Sequence, residues 1–288
     1  MDTIAGSGDV RHCVNAGSAA SQTMTTIIDI DDYDLEGAVK AVAGFGSDRY
    51  GYVVTPNVDH VIRHYDDQKF RSLYAQASYI LLDSRFLART LSLVKRQVLR
   101  VCLGSDLTTS VFTSVLKPLD VAVIVGGSAQ QAQMLRERFA LRSLHHVDPP
   151  MNFIRDPIAV ETCLRQIEAV APFRFCFLAI GSPQQEMIAQ MLKDRGVARG
   201  LALCIGTAIN YLTGVEKRAP LWMQNSGLEW MFRLVHNPRR MAKRYLVRGP
   251  RIFLLLWRVK LRVRRAAASV SAGKTQPAVI AANSGQAL

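Results

Sequence analysis

From about residue 26 to residue 212, short apolar runs alternate with helical patterns, and this alternation limits the fold more than any other feature. The runs are Thr26–Ile30, Tyr52–Thr55, Tyr79–Leu82, Arg100–Leu103, Val121–Val125, Phe175–Ile180 and Leu201–Ile205. Several are almost wholly apolar, as strands buried on both faces must be. Helical patterns lie between them, near residues 34–44, 57–77, 105–116, 129–140, 156–170 and 184–195. Such alternation predicts an α/β fold with a mostly parallel sheet covered by helices. Ligands of these sheets bind at the carboxyl ends of the strands, so the loops that leave each strand are the places to look for chemistry.

After the last run the pattern changes. From Pro220 onward only helical signals remain, with Leu228, Met231, Phe232 and Val235 on one face and a Gly249-Pro250 break further on. Residues Arg251 to Arg265 read as a last helix, apolar at first and then alternating Val, Leu and Val with basic residues, suited to lie on a membrane surface. Fourteen Lys and Arg face two acids between Glu216 and Arg265, which accounts for nearly all of the net charge of +13. Four segments follow: residues 1–25, low in apolar content and read as disordered with no signal peptide; an α/β core at 26–215; a basic helical appendage at 216–265; and a disordered tail at 266–288. No apolar run approaches the roughly 18–20 residues of a membrane span. The five cysteines are scattered, which favours buried thiols over disulfides or a metal site.

Five loops carry the polar residues. Thr55-Pro56-Asn57 offers a hydroxyl and an amide at a helix start, where Asn57 is also a natural N-cap. Asp83-Ser84 ends an apolar run, which places an acid where a general base could be held in a dry pocket, or a cap. Gly126-Gly127-Ser128 lets the backbone approach a phosphate, but it lacks the full dinucleotide fingerprint. Gly181-Ser182-Pro183-Gln184-Gln185-Glu186 sets two amides and an acid at a helix start. Gly206-Thr207-Ala208-Ile209-Asn210 could close the same crevice. The Asp29-Ile30-Asp31-Asp32 run resembles a metal-binding Asp-x-Asp, yet it reads better as a helix cap. His60 and His64 share helical spacing but lack the glutamate of a zinc protease helix.

In their order these pieces resemble the TagA/WecG/CpsF glycosyltransferases, family 26. The resemblance rests on Thr55-Pro56-Asn57, Ala77 to Asp83, Arg100 with Gly104-Ser105-Asp106-Leu107, Gly126-Gly127, and Gly181 to Glu186. Most specific are Arg218-Ala219-Pro220-Leu221-Trp222-Met223-Gln224, Gly227-Leu228-Glu229-Trp230 and Pro238-Arg239-Arg240. The resemblance implies a Rossmann-like α/β core with a basic helical appendage. It also implies metal-independent, inverting transfer of glucose or an N-acetylhexosamine from a UDP-sugar to a polyprenyl diphosphate-linked acceptor. The setting would be the cytoplasmic face of the cell membrane, in the synthesis of an exopolysaccharide, capsule or wall polymer. No cofactor is implied beyond the UDP-sugar co-substrate, and the cores of such enzymes can form homo-oligomers.

By the same resemblance Asp83 is the general base, Thr55 and Asn57 position sugar or acceptor, and Arg100 and Gln185 contact the diphosphate or sugar. Gly126, Gly127, Gly181, Gln184, Glu186, Gly206 and Asn210 complete the substrate-binding set. Lys217, Arg218, Arg233, Arg239, Arg240, Arg244 and Arg248 meet the acceptor and the membrane. The chain departs from the family pattern at Leu82-Asp83-Ser84, usually Pro-Asp-Gly, and at Asn210, usually an acid. Two other classes fit less well. A nucleic-acid-binding protein would need its basic residues spread over a stacking platform rather than on an amphipathic tail. A nicotinamide oxidoreductase would need the missing fingerprint.

Overall fold

In the computed structural model, which describes residues 26–242, Leu246 and residues 249–264 (backbone alone at Thr26, Asn225 and Arg240), the alternation resolves into a parallel sheet with helices on both sides. The first half runs β1 (Thr26–Asp31), α1 (Leu35–Ala43), β2 (Tyr50–Val54), α2 (Val58–Asp66), α3 (Gln68–Ala75), β3 (Tyr79–Ile80), α4 (Arg85–Lys95) and α5 (Gly104–Ser110). It continues with β4 (Val121–Val125), α6 (Ala129–Arg138), β5 (Ser143–Val147), α7 (Pro157–Glu168), β6 (Phe175–Leu178), α8 (Gln184–Arg195), β7 (Gly200–Cys204) and α9 (Ala208–Leu212). Four short helices, α10 (Leu221–Ser226), α11 (Glu229–His236), α12 (Pro238–Ala242) and α13 (Arg251–Leu255), lead to a final strand, β8 (Val259–Arg264). The expected disordered segments, 1–25 and 266–288, lie outside the described residues.

Six strands form the main sheet in the order β3-β2-β7-β6-β4-β5, every pair parallel. The central strands bury both faces. Tyr52, Val54, Val123, Val125, Cys176, Leu178 and Ala202 pack into one core layer. Their neighbours Val53, Ala122, Ile124, Phe175, Phe177, Leu201 and Leu203 pack into the other. Two-sided burial is why these strands read as unbroken apolar runs.

Several elements differ from the sequence expectations. Residues Arg100–Leu103 are no strand: Cys102 N–H donates to Leu82 O at 3.0 Å, and the chain turns at once into α5. β5 was not anticipated, because an edge strand exposes one face and can carry His145 and His146. α4 was missed as well; Ser84 caps it by accepting from Leu87 N–H at 3.1 Å. The region 57–77 is two helices, divided at Asp67, which caps α3.

The largest correction concerns both ends of the chain. The expected helix Arg251–Arg265 stops at Leu255, and residues Val259–Arg264 are a strand, as their two-residue alternation requires. β8 pairs in parallel with β1 in a separate two-stranded sheet, from Thr26↔Val259 to Asp31↔Arg264. β1 therefore stands outside the main sheet. Arg262 bonds Asp29 through two contacts at 2.6 and 2.8 Å, and Arg264 bonds Asp31 at 2.9 and 2.6 Å. The two acids of the Asp-x-Asp run thus cap no helix and face arginines; the cap of α1 is Asp34.

Candidate active site

At the carboxyl ends of β3, β2, β7 and β6, two cavities lie side by side. The first, about 450 Å³, is polar. Its lining includes Thr55, Asn57, Asp59, His60, Arg63, Gly181, Gln184, Gln185 and Gly206. The second, about 420 Å³, is more apolar. It is lined by Phe86, Leu103, Trp230, Leu246, Pro250 and Phe253, with Arg85 and Glu229 among its polar residues. Asn57, Asp59, Asp83, Ser105 and Arg233 line both, so they form the wall where the two spaces meet.

Local chemistry fixes this wall. Asn57 caps α2: its side chain accepts from Asp59 N–H at 3.1 Å, while Asn57 N–H donates to His60 Nδ1 at 3.2 Å. Asp83 N–H donates to Pro56 O at 2.9 Å, which ties the loop after β3 to the loop after β2. Asp83 Oδ1 accepts from Gly104 N–H at 3.1 Å, so the carboxylate is oriented by the first residue of α5. Thr55 Oγ1 donates to Cys204 O at 3.4 Å and joins β2 to β7. Ser84, not Asp83, is the helix cap, which leaves the carboxylate facing the cavities.

The polar wall opposite rests on α8. Gln185 Oε1 accepts from Gly206 N–H at 2.9 Å, and Gln185 Nε2 donates to Glu186 Oε1 at 2.9 Å. Glu186 is 0 % exposed and lines neither cavity, so it stands behind the polar wall. Burial raises its pKa, against the bond from Gln185 that favours the ionised form. Gly181 adopts a φ of 81° with open space where a Cβ would stand, so its backbone borders the polar cavity unshielded.

Several expected site residues stand elsewhere. Arg100 lines neither cavity; it is 59 % exposed and pairs with Asp32 at 3.9 Å and Asp34 at 3.6 Å near α1. Gly126 and Gly127 follow β4, one strand beyond β6, and line neither space. A Cβ on Gly126 would lie 2.8 Å from Ile180 Cγ2, so that glycine serves close packing. Asn210 is also outside: it accepts from Gln131 Nε2 at 2.9 Å and donates to Glu216 Oε1 at 3.1 Å. Its amide bridges α6 to the chain after α9, and the neutral residue alters no cavity wall.

The basic set divides similarly. Arg233 lines both cavities, paired with Glu229 and placed over the Tyr211 ring at 5.7 Å. Arg218 pairs with Asp106 and lines neither cavity; Lys217 and Arg239 are exposed and line neither. The Arg240 side chain, Arg244 and Arg248 lie outside the described residues. Sequence reasoning missed Asp59, His60 and Arg63, although the helix that Asn57 opens projects them along the polar cavity by its 3.6-residue period. It also missed Arg85 and Phe86, which the acid-to-cap step at Asp83-Ser84 turns toward the apolar space.

The solved structure of a selenomethionine-substituted domain of unknown function 1792 is similar to this chain at 14 % identity, over 69 % of this chain and 85 % of that one, with a TM-score of 0.41. The profile of the glycosyl transferase WecG/TagA/CpsF family matches residues 24–266, a span that contains both cavities and every loop that builds them. With an oriented aspartate between a polar and an apolar space, and that match over most of its length, the chain belongs to the WecG/TagA/CpsF family of glycosyltransferases.

Proposed function

We propose that this glycosyltransferase moves a sugar, with inversion, from a UDP-sugar in the polar cavity to a polyprenyl diphosphate-linked acceptor in the apolar cavity. The observation that carries this reading is the position of Asp83 on the wall common to both spaces. A bisubstrate reaction needs its base where the two substrates touch, and the contrast in lining suits a nucleotide on one side and a lipid-borne sugar on the other. The acceptor hydroxyl attacks the anomeric carbon from the face opposite UDP and gives its proton to Asp83. The bond from that carbon to the diphosphate oxygen breaks, and UDP leaves with the electron pair. Gly104 N–H holds the carboxylate in place for this step. The apolar lining of Phe86, Trp230 and Phe253, with the Phe86 and Phe253 rings edge to face at 6.1 Å, suits an isoprenoid segment.

The reaction is read as metal-independent, and the enzyme as one that works against the inner face of the cell membrane from its cytoplasmic side. The exposed Leu254 and Trp257, next to the exposed Arg258 and Lys260, support attachment to an anionic surface. The test is UDP release from a panel of UDP-sugars, with a polyprenyl diphosphate-linked sugar as acceptor and EDTA present. Asp83→Asn should lower kcat by roughly a hundred- to ten-thousand-fold without changing UDP affinity. Turnover by the asparagine variant at the wild-type rate would sink the assignment of the base, and loss of wild-type turnover in EDTA would sink the metal-independent reading.

A further inference from the structure

With Arg100 outside both cavities, the arginine that the resemblance gives for the diphosphate does not line the polar space, and α2 offers another. Arg63 stands one helical turn beyond Asp59, with Nε 2.9 Å from Asp59 Oδ2. Its Nη1 donates to Ser182 O at 3.5 Å, across the polar cavity's edge to the loop that opens α8. The side chain keeps 30 % of its surface exposed, while Asp59 keeps 7 %. The acid is the more buried partner and orients the guanidinium, and the Arg63 side chain remains partly exposed at the polar cavity that it lines.

Among the described side chains, Arg63 is the arginine that lines the polar cavity and not the apolar one; Arg85 is its counterpart in the apolar cavity, and Arg233 borders both. Arg63 also shares its wall with the first turn of α8, a twelve-residue helix whose N-cap, Pro183, makes no side-chain cap bond. Gln184 and Gln185 of that turn line the same cavity, so the positive end of the helix and a guanidinium converge there. Behind them His60 Nε2 lies 3.9 Å from Glu186 Oε1, the same oxygen that receives Gln185 Nε2. The buried carboxyl group of α8 thus lies beside α2.

We propose that Arg63 is the catalytic cation of the donor site: it binds the diphosphate of the sugar nucleotide and stabilises the negative charge that UDP takes up as the glycosidic bond breaks. This rests on the UDP-sugar reading above. An arginine fork suits a diphosphate because two parallel N–H donors match two phosphate oxygens, and stabilisation of developing charge by a fixed donor is worth about a hundredfold or more in rate. Asp59 is then a positioning residue that sets the fork's direction.

The experiment compares Arg63→Gln, Arg63→Lys and Arg100→Gln in the full chain, by UDP release and by calorimetric titration with UDP alone. Arg63→Gln should lower kcat by about a hundredfold and weaken UDP binding about tenfold, while Arg100→Gln stays within about threefold of wild type in both. Arg63→Lys keeps the charge beside Asp59 and should fall between wild type and the glutamine variant. The proposal is overturned if Arg63→Gln keeps wild-type kcat and UDP affinity, or if Arg100→Gln is the more damaging change. Should Arg63→Gln fail to fold, a folded Arg63→Lys with wild-type kcat and UDP affinity overturns it equally. Wild-type protein that binds no UDP overturns the donor reading itself; wild-type binding with unchanged affinity in Arg63→Gln overturns the role of Arg63 alone.

Discussion

Glu186 and His64 are buried titratable residues of neighbouring elements, and their burial acts on stability with opposite signs. Desolvation raises the Glu186 pKa above its ordinary 4.5. The native chain therefore holds this proton to higher pH than the unfolded chain does. The stability that goes with it is complete below 4.5 and is lost as pH rises through the native value. Glu186→Gln keeps an acceptor for Gln185 Nε2 and removes the titration. Its urea midpoint relative to wild type should rise as pH increases above 4.5, and a difference that is flat with pH would contradict the assignment. His64 behaves in reverse: burial first, then Arg71, lowers its pKa from 6.5 to about 4. Its contribution is present above 6.5 and is lost as pH falls toward 4, so His64→Leu should flatten the acid side of the stability profile.

At the same scale, the strand-end loops and the family resemblance gave Asp83, Thr55, Asn57, Gly181, Gln184, Gln185 and Gly206 as expected site residues, and all seven border the cavities. Some of the expected residues that line neither cavity share one physical cause. Gly126, Gly127 and Asn210 also follow apolar runs, but whether such a residue faces the crevice depends on which strand stands next to which. Strand order is set by long-range pairing, and local sequence does not contain it.

At the scale of elements, β8 shows how a period decides between a helix and a strand. Val259, Leu261 and Val263 alternate with Lys260, Arg262 and Arg264, so a strand puts the apolar set on one face and the basic set on the other. A helix would have spread them around its surface. The register with β1 then sets each acid of that strand against an arginine, Asp29 with Arg262 and Asp31 with Arg264. The two pairs should differ in worth. Arg262 is 62 % exposed and its pair with Asp29 is well solvated, so Arg262→Ala should shift the urea midpoint little. Asp31 is largely buried and also accepts from Ile80 N–H at 2.7 Å, so Arg264→Ala leaves a buried carboxylate short of a partner. That change should cost about 1–3 kcal/mol in urea unfolding. Equal costs for the two would show that register, and not burial, governs the clasp.

At the scale of the molecule, the basic excess has divided employment. Arg251, Arg262 and Arg264 pair with Asp66, Asp29 and Asp31, and Arg218 pairs with Asp106, so these charges stitch the C-terminal segment to the core. Arg258 and Lys260 stay exposed beside Leu254 and Trp257, which are 75 % and 76 % exposed. Among the described residues no helix is long and apolar enough to cross a membrane. On the proposed function, contact with lipid therefore falls to this exposed set. Leu254→Ser with Trp257→Ser should lower co-sedimentation with phosphatidylglycerol vesicles several-fold while leaving UDP binding unchanged. Undiminished co-sedimentation would place the membrane contact elsewhere.

By itself the sequence determined the α/β class, the parallel sheet, most of the loops that border the two cavities and the family, because apolar periodicity and short motifs are local and survive without coordinates. The tertiary structure alone decided that β1 leaves the main sheet to pair with β8, that Arg63 and not Arg100 reaches the polar cavity, and that Asp83 stands between two spaces of opposite character. Each of these depends on contacts between residues far apart in the chain. Arg262 and Asp29, separated by 233 positions, meet through the pairing of β8 with β1.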